Sequence, residues 1–136
     1  MKSGLDIEQD VFDVVSASLK SIIKGKTYRD GMRPVDAQTE DCVVAFLTGV
    51  DGQRQSGIVN VNIYVPDISV KGYSKKVKNI GRLNTLAHAV RDAFAKAETP
   101  EYELTTDSTP RTYEVSDIEQ YFINFRISYK RISVND

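Results

Sequence analysis

Between Gly57 and Pro66 every second side chain is branched and apolar: Val59, Val61, Ile63 and Val65 alternate with Asn60, Asn62 and Tyr64. A β-strand sends successive side chains to opposite faces, so this spacing predicts one buried face and one open to water or to a partner. Pro66 cannot donate a ladder hydrogen bond and is a natural end for the strand. The same period of two returns from Tyr121 to Ile132, where Tyr121, Ile123, Phe125, Ile127 and Tyr129 alternate with Asn124, Arg126, Ser128 and Lys130. Asp41 to Val50 is apolar and β-branched enough for a third strand, and Asp51, Gly52 and Gly57 bracket a turn. These two segments predict an antiparallel hairpin with its loop near Asp51 to Gln55.

A period near 3.6 appears twice. Ile7, Val11, Val14, Val15, Leu19, Ile22 and Ile23 recur every three or four positions, predicting a helix over Asp6 to Lys24. Ser3 and Asp6 offer a capping-box start, and Gly25 a stop. The second helix is predicted from about Asn79 to Ala97, with Ile80, Leu83, Ala87, Val90, Phe94 and Ala97 on one face. Thr99 and Pro100 end it. The polar stretch Lys26 to Asp41, with Gly31 and Pro34, reads as a long connection holding at most one short extended piece. Tyr102 to Thr106 reads as a short strand, and Asp107 to Pro110 as a turn cluster. Arg111 to Val115 is either a brief strand or a bulged extension.

Helices that each bury one face, beside strands that alternate, predict an α+β two-layer sandwich. The expected order is α-β-β-α-β-β, with about four antiparallel strands covered on one side by both helices. The other face then shows Asn60, Asn62, Tyr64, Asn124, Arg126 and Ser128, as solvent surface or as a contact. At 136 residues the chain fits one domain over 1–136, with no internal repeat or low-complexity tract.

Apolar residues make up 40% and charged residues 27%, ordinary values for a globular protein, and the net charge of −1 gives no general attraction to nucleic acid or anionic lipid. No apolar run approaches the roughly 20 residues of a membrane helix. The acidic N-terminal segment does not read as a signal peptide, so a cytoplasmic origin is expected. Cys42, the single cysteine, has apolar neighbours and reads as a buried, inert thiol. One cysteine and one histidine, His88, cannot build a Cys/His zinc site, and His88 lies off the apolar stripe. No glycine-rich pattern leads into Lys-Ser/Thr at a helix start, and no nucleophile elbow is present. Asp13, Asp41, Asp67, Glu114 and Asp117 are scattered without nuclease-like spacing. Nothing here specifies catalytic, metal or cofactor residues, and no enzyme is expected.

Charge is segregated along the chain. Lys71, Lys75, Lys76, Lys78, Arg82, Arg91 and Lys96 face only Asp92 between positions 71 and 96. Glu98, Glu101, Glu103, Asp107, Glu114, Asp117 and Glu119 face only Arg111 between 98 and 119. Either the two blocks neutralise each other within one monomer, or the basic patch of one subunit, carrying Lys71, Lys75 and Lys76, meets the acidic patch of the next, carrying Glu101 and Glu103. The second arrangement is heterologous and closes into a ring when the rotation permits. The lysine loop with Tyr73 could also touch phosphates and stack a base, but the chain lacks a basic surplus, so direct nucleic-acid recognition is not expected.

The order of elements, the segment Gly25 to Tyr28, Arg33 with Pro34, Glu40 with Asp41, and the strand from Val59 to Pro66 resemble tailed-phage neck and tail-completion proteins, the tail-terminator family above all. The likeness spans about residues 5–132. It implies a small α+β subunit that forms a ring, commonly a hexamer, at the head-proximal end of the tail tube. There it stops tube growth and joins the head, with tail-tube and head-connector proteins as partners and the virion as its destination. The family has no catalytic residues to carry over, and its interface positions are not transferred singly. From the residues themselves, a host-encoded protein-binding module using the polar sheet face or the lysine loop is the alternative.

Overall fold

The long alternating strands form the centre of the sheet because each can bury one complete face. The computed structural model describes residues 2–50, 55–97, 99, 101–106 and 108–131. In chain order the elements are α1 (Gly4–Leu19), β1 (Thr27–Arg29), β2 (Asp41–Val50), β3 (Ser56–Pro66), α2 (Ile80–Lys96), β4 (Tyr102–Thr106), β5 (Arg111–Val115), a 3-10 turn at Ser116–Ile118 and β6 (Gln120–Arg131). β3 and β6 pair antiparallel along their whole length, from Ser56 opposite Lys130 to Pro66 opposite Gln120. β2 flanks β3, with an irregularity between Phe46 and Thr48. The tip of this hairpin, residues 51–54, lies outside the described residues.

The class is α+β, but the expected sheet of about four antiparallel strands is in fact a mixed sheet of six, ordered β1-β2-β3-β6-β4 with β5 also on β6. Two causes account for the difference. β1 has three residues, too few to display a period, and it runs parallel to β2, with Thr27 opposite Cys42. β6 has 12 residues, enough to take both β4 and β5 on one edge. The register steps from Thr106 opposite Ile127 to Arg111 opposite Asn124, so the short strand and the segment left open between strand and extension lie end to end along β6 as one interrupted edge, with two more residues between them than on β6. Asp107 lies outside the described residues, as do Pro100 and Ile132.

One face of the sheet and one face of each helix make a single core. Cys42, Val44, Val59, Val61, Ile63, Val65, Ile123, Phe125, Ile127 and Tyr129 pack with Ile7, Val11, Val15, Leu19, Leu83, Leu86 and Val90. Cys42 is buried as expected, and burial pushes its thiol far above the ordinary range. The α2 stripe differs in detail from the expectation: Ile80, in the first turn, is 68% exposed, and Leu86 takes a fully buried place. Asn79 caps α2 through its side chain, which accepts from Arg82 N–H.

The capping box at Ser3 and Asp6 forms, with both reciprocal hydrogen bonds present. The helix it starts ends at Leu19, not Lys24. Past Leu19 the backbone finds other partners: Ile22 and Ile23 N–H both donate to Leu19 O, and Lys24 N–H donates to the Glu40 carboxylate. Gly25 is therefore not a helix stop, and its φ is not positive. It is a close approach. Its N–H donates to Glu40 O at 2.8 Å, and a Cβ there would stand 2.1 Å from Asp41 Oδ1 and 2.3 Å from Glu40 O. Gly25→Ala is expected to cost about 1–3 kcal/mol, the range for overpacking, read as a lowered denaturant midpoint. An unchanged midpoint would show that this junction yields freely.

The poorly regular stretch 20–40 is held by three arginine–carboxylate pairs. Arg29 meets Glu8 of α1 at 2.9 Å, Arg33 meets Asp41 at 3.0 Å, and Arg82 of α2 meets Glu40 at 2.7 Å. Each joins parts of the chain with no apolar pattern to bring them together.

Candidate assembly surfaces

The face of the sheet away from the helices carries the polar half of the alternation. Cross-strand register puts Asn60 opposite Arg126, Asn62 opposite Asn124 and Tyr64 opposite Phe122. The three asparagines serve one another: Asn124 Nδ2 donates to Asn62 Oδ1 at 2.7 Å and to Asn60 Oδ1 at 3.3 Å. Such a ladder stiffens the sheet and leaves fewer free amide groups for a partner.

Tyr64 belongs to a row of aromatic rings that the alternation did not disclose. Tyr64 and Phe122 have centroids 5.2 Å apart, and Phe122 and Tyr113 stack at the same separation. Arg33 lies 4.3 Å over the Tyr64 ring and Arg111 lies 5.6 Å over Tyr113. Burial raises the Tyr64 hydroxyl above its ordinary range. Phe122 and Tyr113 were missed because they meet only through pairing of β5 with β6.

The lysine loop leaves the Pro66 end of β3. A bridge between Ile68 and Val77 pinches its base. Its tip is a tight turn in which Tyr73 N–H donates to Val70 O at 3.1 Å, with Gly72 at φ 96°. A Cβ at Gly72 would meet nothing within 4 Å, so the backbone conformation, not space, calls for glycine. Lys71, Lys75 and Lys76 are exposed around this tip. So is Tyr73, at 66%, with Val70 and Ile68 at 39% each.

The two charge blocks meet in part within the monomer. Lys75, Lys76 and Lys78 line a surface depression with Asp67, Glu114, Glu119 and Tyr121. Burial, then Glu119 and Glu114, raise the Asp67 carboxyl, and Lys76 opposes them. Lys78 donates to Thr112 at 2.6 Å and lies 4.9 Å over the Tyr121 ring. Glu101 and Glu103 are elsewhere. Glu103 sits in the row of Lys130 and Ser56, at the far end of β3 and β6 from the lysine loop. Ten residues of strand separate the rows of Ser56 and Pro66, about 33 Å along the sheet.

On the helix side of the β4 edge, the face opposite Glu103, is an apolar groove of about 360 Å³ walled by Val14, Phe94, Ala97, Leu104 and Ile127. No sequence pattern signalled it, because its walls come from four separate elements. Tyr102, next to it, donates to Asp10 O, and burial followed by the charges of Asp10, Asp13 and Glu101 pushes its hydroxyl up to about 12.

Among the described residues no group of three or more His, Cys, Asp or Glu is placed to hold a metal, and no helix is long and apolar enough to cross a membrane. His88 is exposed on α2. Comparison with models of known protein families finds no match to this chain, and comparison with curated proteins finds none either.

Proposed function

We propose that the chain is a structural subunit of the tailed-phage neck, resembling a tail terminator, that acts by assembly rather than by catalysis. Copies join head to tail into a ring, a hexamer on the family's pattern, which caps the tail tube and joins it to the head. One observation carries this reading: the exposed lysine loop and the Glu101–Glu103 edge stand at opposite ends of the sheet. Lysines and glutamates so placed are too far apart to pair with each other within one copy, where Lys75 and Lys76 have Glu114 and Glu119 nearby and Glu103 has Lys130 opposite, and they can pair between successive copies. Exposed pairs contribute only about 0–1 kcal/mol each, so they orient the contact more than they hold it.

Reversing Lys75 and Lys76 together to glutamate tests this. The expected result is an association constant at least about tenfold lower at low salt, the change fading as salt screens the charges. Because both lysines also line the depression with Glu114 and Glu119, the thermal midpoint is measured alongside. A lower midpoint with unchanged association would assign these lysines to the monomer alone.

A second reading, a host-encoded protein-binding module, is favoured by the aromatic row on the open face. A pull-down yielding one stable non-phage partner, lost on Tyr113→Ala, would select it.

A further inference from the structure

We propose that the turn at residues 70–73 is a knob that seats in the Val14–Phe94–Leu104 groove of a second copy of this chain. The inference rests on the head-to-tail part of the reading above and not on its phage setting. Three observations lead to it.

The first is a matched pair of exposed apolar features. The tip offers Tyr73 and Val70, held outward by the turn at Gly72. The groove offers half-buried Val14, Phe94, Ala97 and Leu104 in a space of about 360 Å³. That lies at the small end of the roughly 300–1,000 Å³ of ligand pockets, suited to one or two side chains. Exposed apolar groups rimmed by polar residues, and open apolar grooves, mark contact surfaces.

The second is charge. The knob carries Lys71, and Lys75 and Lys76 follow just beyond it. Asp13 directly precedes Val14 of the groove wall, and Asp13 and Glu101 both lie close enough to Tyr102, whose hydroxyl donates to Asp10 O on α1, to raise it. Lys96 is exposed on the last turn of α2, with Asp92 exposed one turn earlier. Asp10 is already taken by Lys2 and by the Tyr129 hydroxyl. A lysine-flanked apolar tip therefore meets a groove in whose neighbourhood Asp13 and Glu101 outnumber Lys96, the complementarity that steers encounter and fixes register.

The third is placement. The knob precedes the N-terminus of α2 and the groove takes Phe94 and Ala97 from its C-terminal end. Ile80 and Phe94 are about 21 Å apart along the helix. The Ile68–Val77 bridge holds the base of the loop at its own end of the sheet. The groove that a knob fills thus belongs to another copy, and an open chain keeps one free knob at one end and one free groove at the other until the ring closes.

The test uses two sets of full-length variants and sedimentation velocity. Tyr73→Glu removes the knob. Ala95→Trp and Thr106→Trp, made separately at exposed groove positions, fill the groove without adding charge. Wild-type chain is expected to associate with rising concentration. Each variant alone is expected to associate at least about tenfold more weakly, the loss typical of a central interface side chain. An equal mixture of a knob variant and a groove variant is expected to give a 1:1 dimer and nothing larger, because one intact knob meets one intact groove. Thermal midpoints within a degree or two of wild type show that the fold is retained. Variants that associate as wild type does would overturn the knob-and-groove contact and leave the ring reading standing. Dead variants that fail to pair when mixed would overturn its head-to-tail sense. A wild-type chain that stays monomeric throughout would overturn both the contact and the ring.

Discussion

Replacing Asp41 by asparagine is expected to lower the unfolding free energy by about 3–5 kcal/mol, the range for removing one partner of a buried ion pair. The pair is buried on both sides: side-chain exposure is 8% for Arg33 and 1% for Asp41. Asp41 Oδ2 accepts from Arg33 Nε at 3.0 Å and from the Thr39 hydroxyl at 2.6 Å, while Oδ1 accepts from Lys26 N–H at 2.9 Å. Arg33 also donates to Thr39 O and to Gln120 Oε1, and Gln120 is itself fully buried and donates to Ala37 O. An asparagine keeps the shape but leaves the guanidinium without its counter-charge in a place water does not reach. The loss is large beside the 5–15 kcal/mol that a domain has in total.

The same site gives a pH dependence of known sign. Burial pushes the Asp41 carboxyl up, but hydrogen bonds from Thr39, Lys26 N–H and Arg33, with the Arg33 charge, outweigh it and hold the group below its ordinary value of 3.8. A carboxyl depressed in the folded state stabilises above its unfolded pKa, and that contribution is lost as pH falls through the folded one. Wild type is expected to lose stability below about pH 4, and Asp41→Asn to show a flatter acid limb there. Parallel acid limbs would show that Asp41 is not the group responsible.

Phe125→Ala is expected to cost about 3–5 kcal/mol, seen as a lower denaturant midpoint at nearly unchanged slope. Phe125 is fully buried, sits opposite Val61 in the central strand pair and meets Phe94 edge to face at 5.7 Å. Removing the ring leaves a cavity between sheet and α2 that the long, paired β3 and β6 cannot collapse to fill. Phe94 is also a wall of the apolar groove, so the same substitution is expected to loosen that site. A cost below 1 kcal/mol would mean that α2 repacks freely on the sheet.

What the sequence disclosed follows from which forces leave a periodic trace. β2, β3, β6 and α2 were legible almost to the residue, because a face that is buried writes its period into the chain; β4 and β5 have no fully buried residue, and Arg111 to Val115 was legible only as a strand or a bulged extension. β1, a three-residue edge strand fixed by pairing with β2, was legible only as one short extended piece somewhere between Lys26 and Asp41. The end of α1 was misread because Ile22 and Ile23 continue the apolar stripe; Ile23 is buried, but from a turn tied to Glu40 rather than from a helix. The arginine–carboxylate pairs join residues 8, 21 and 42 positions apart, and no local pattern encodes them. Of the surfaces, the lysine loop and the Asn60–Asn62–Tyr64 face were visible as composition and alternation. The groove and the aromatic row were not, since each is assembled from elements that meet only after folding.

Assembly is the centre of this account, and light scattering of the full chain across a wide concentration range, with and without tail tubes, tests it most directly. The account predicts a mass that rises with concentration, stops at the value of a closed ring, and rings seen by electron microscopy at tube ends. A single monomer mass at every concentration, with tube ends left bare, would contradict it.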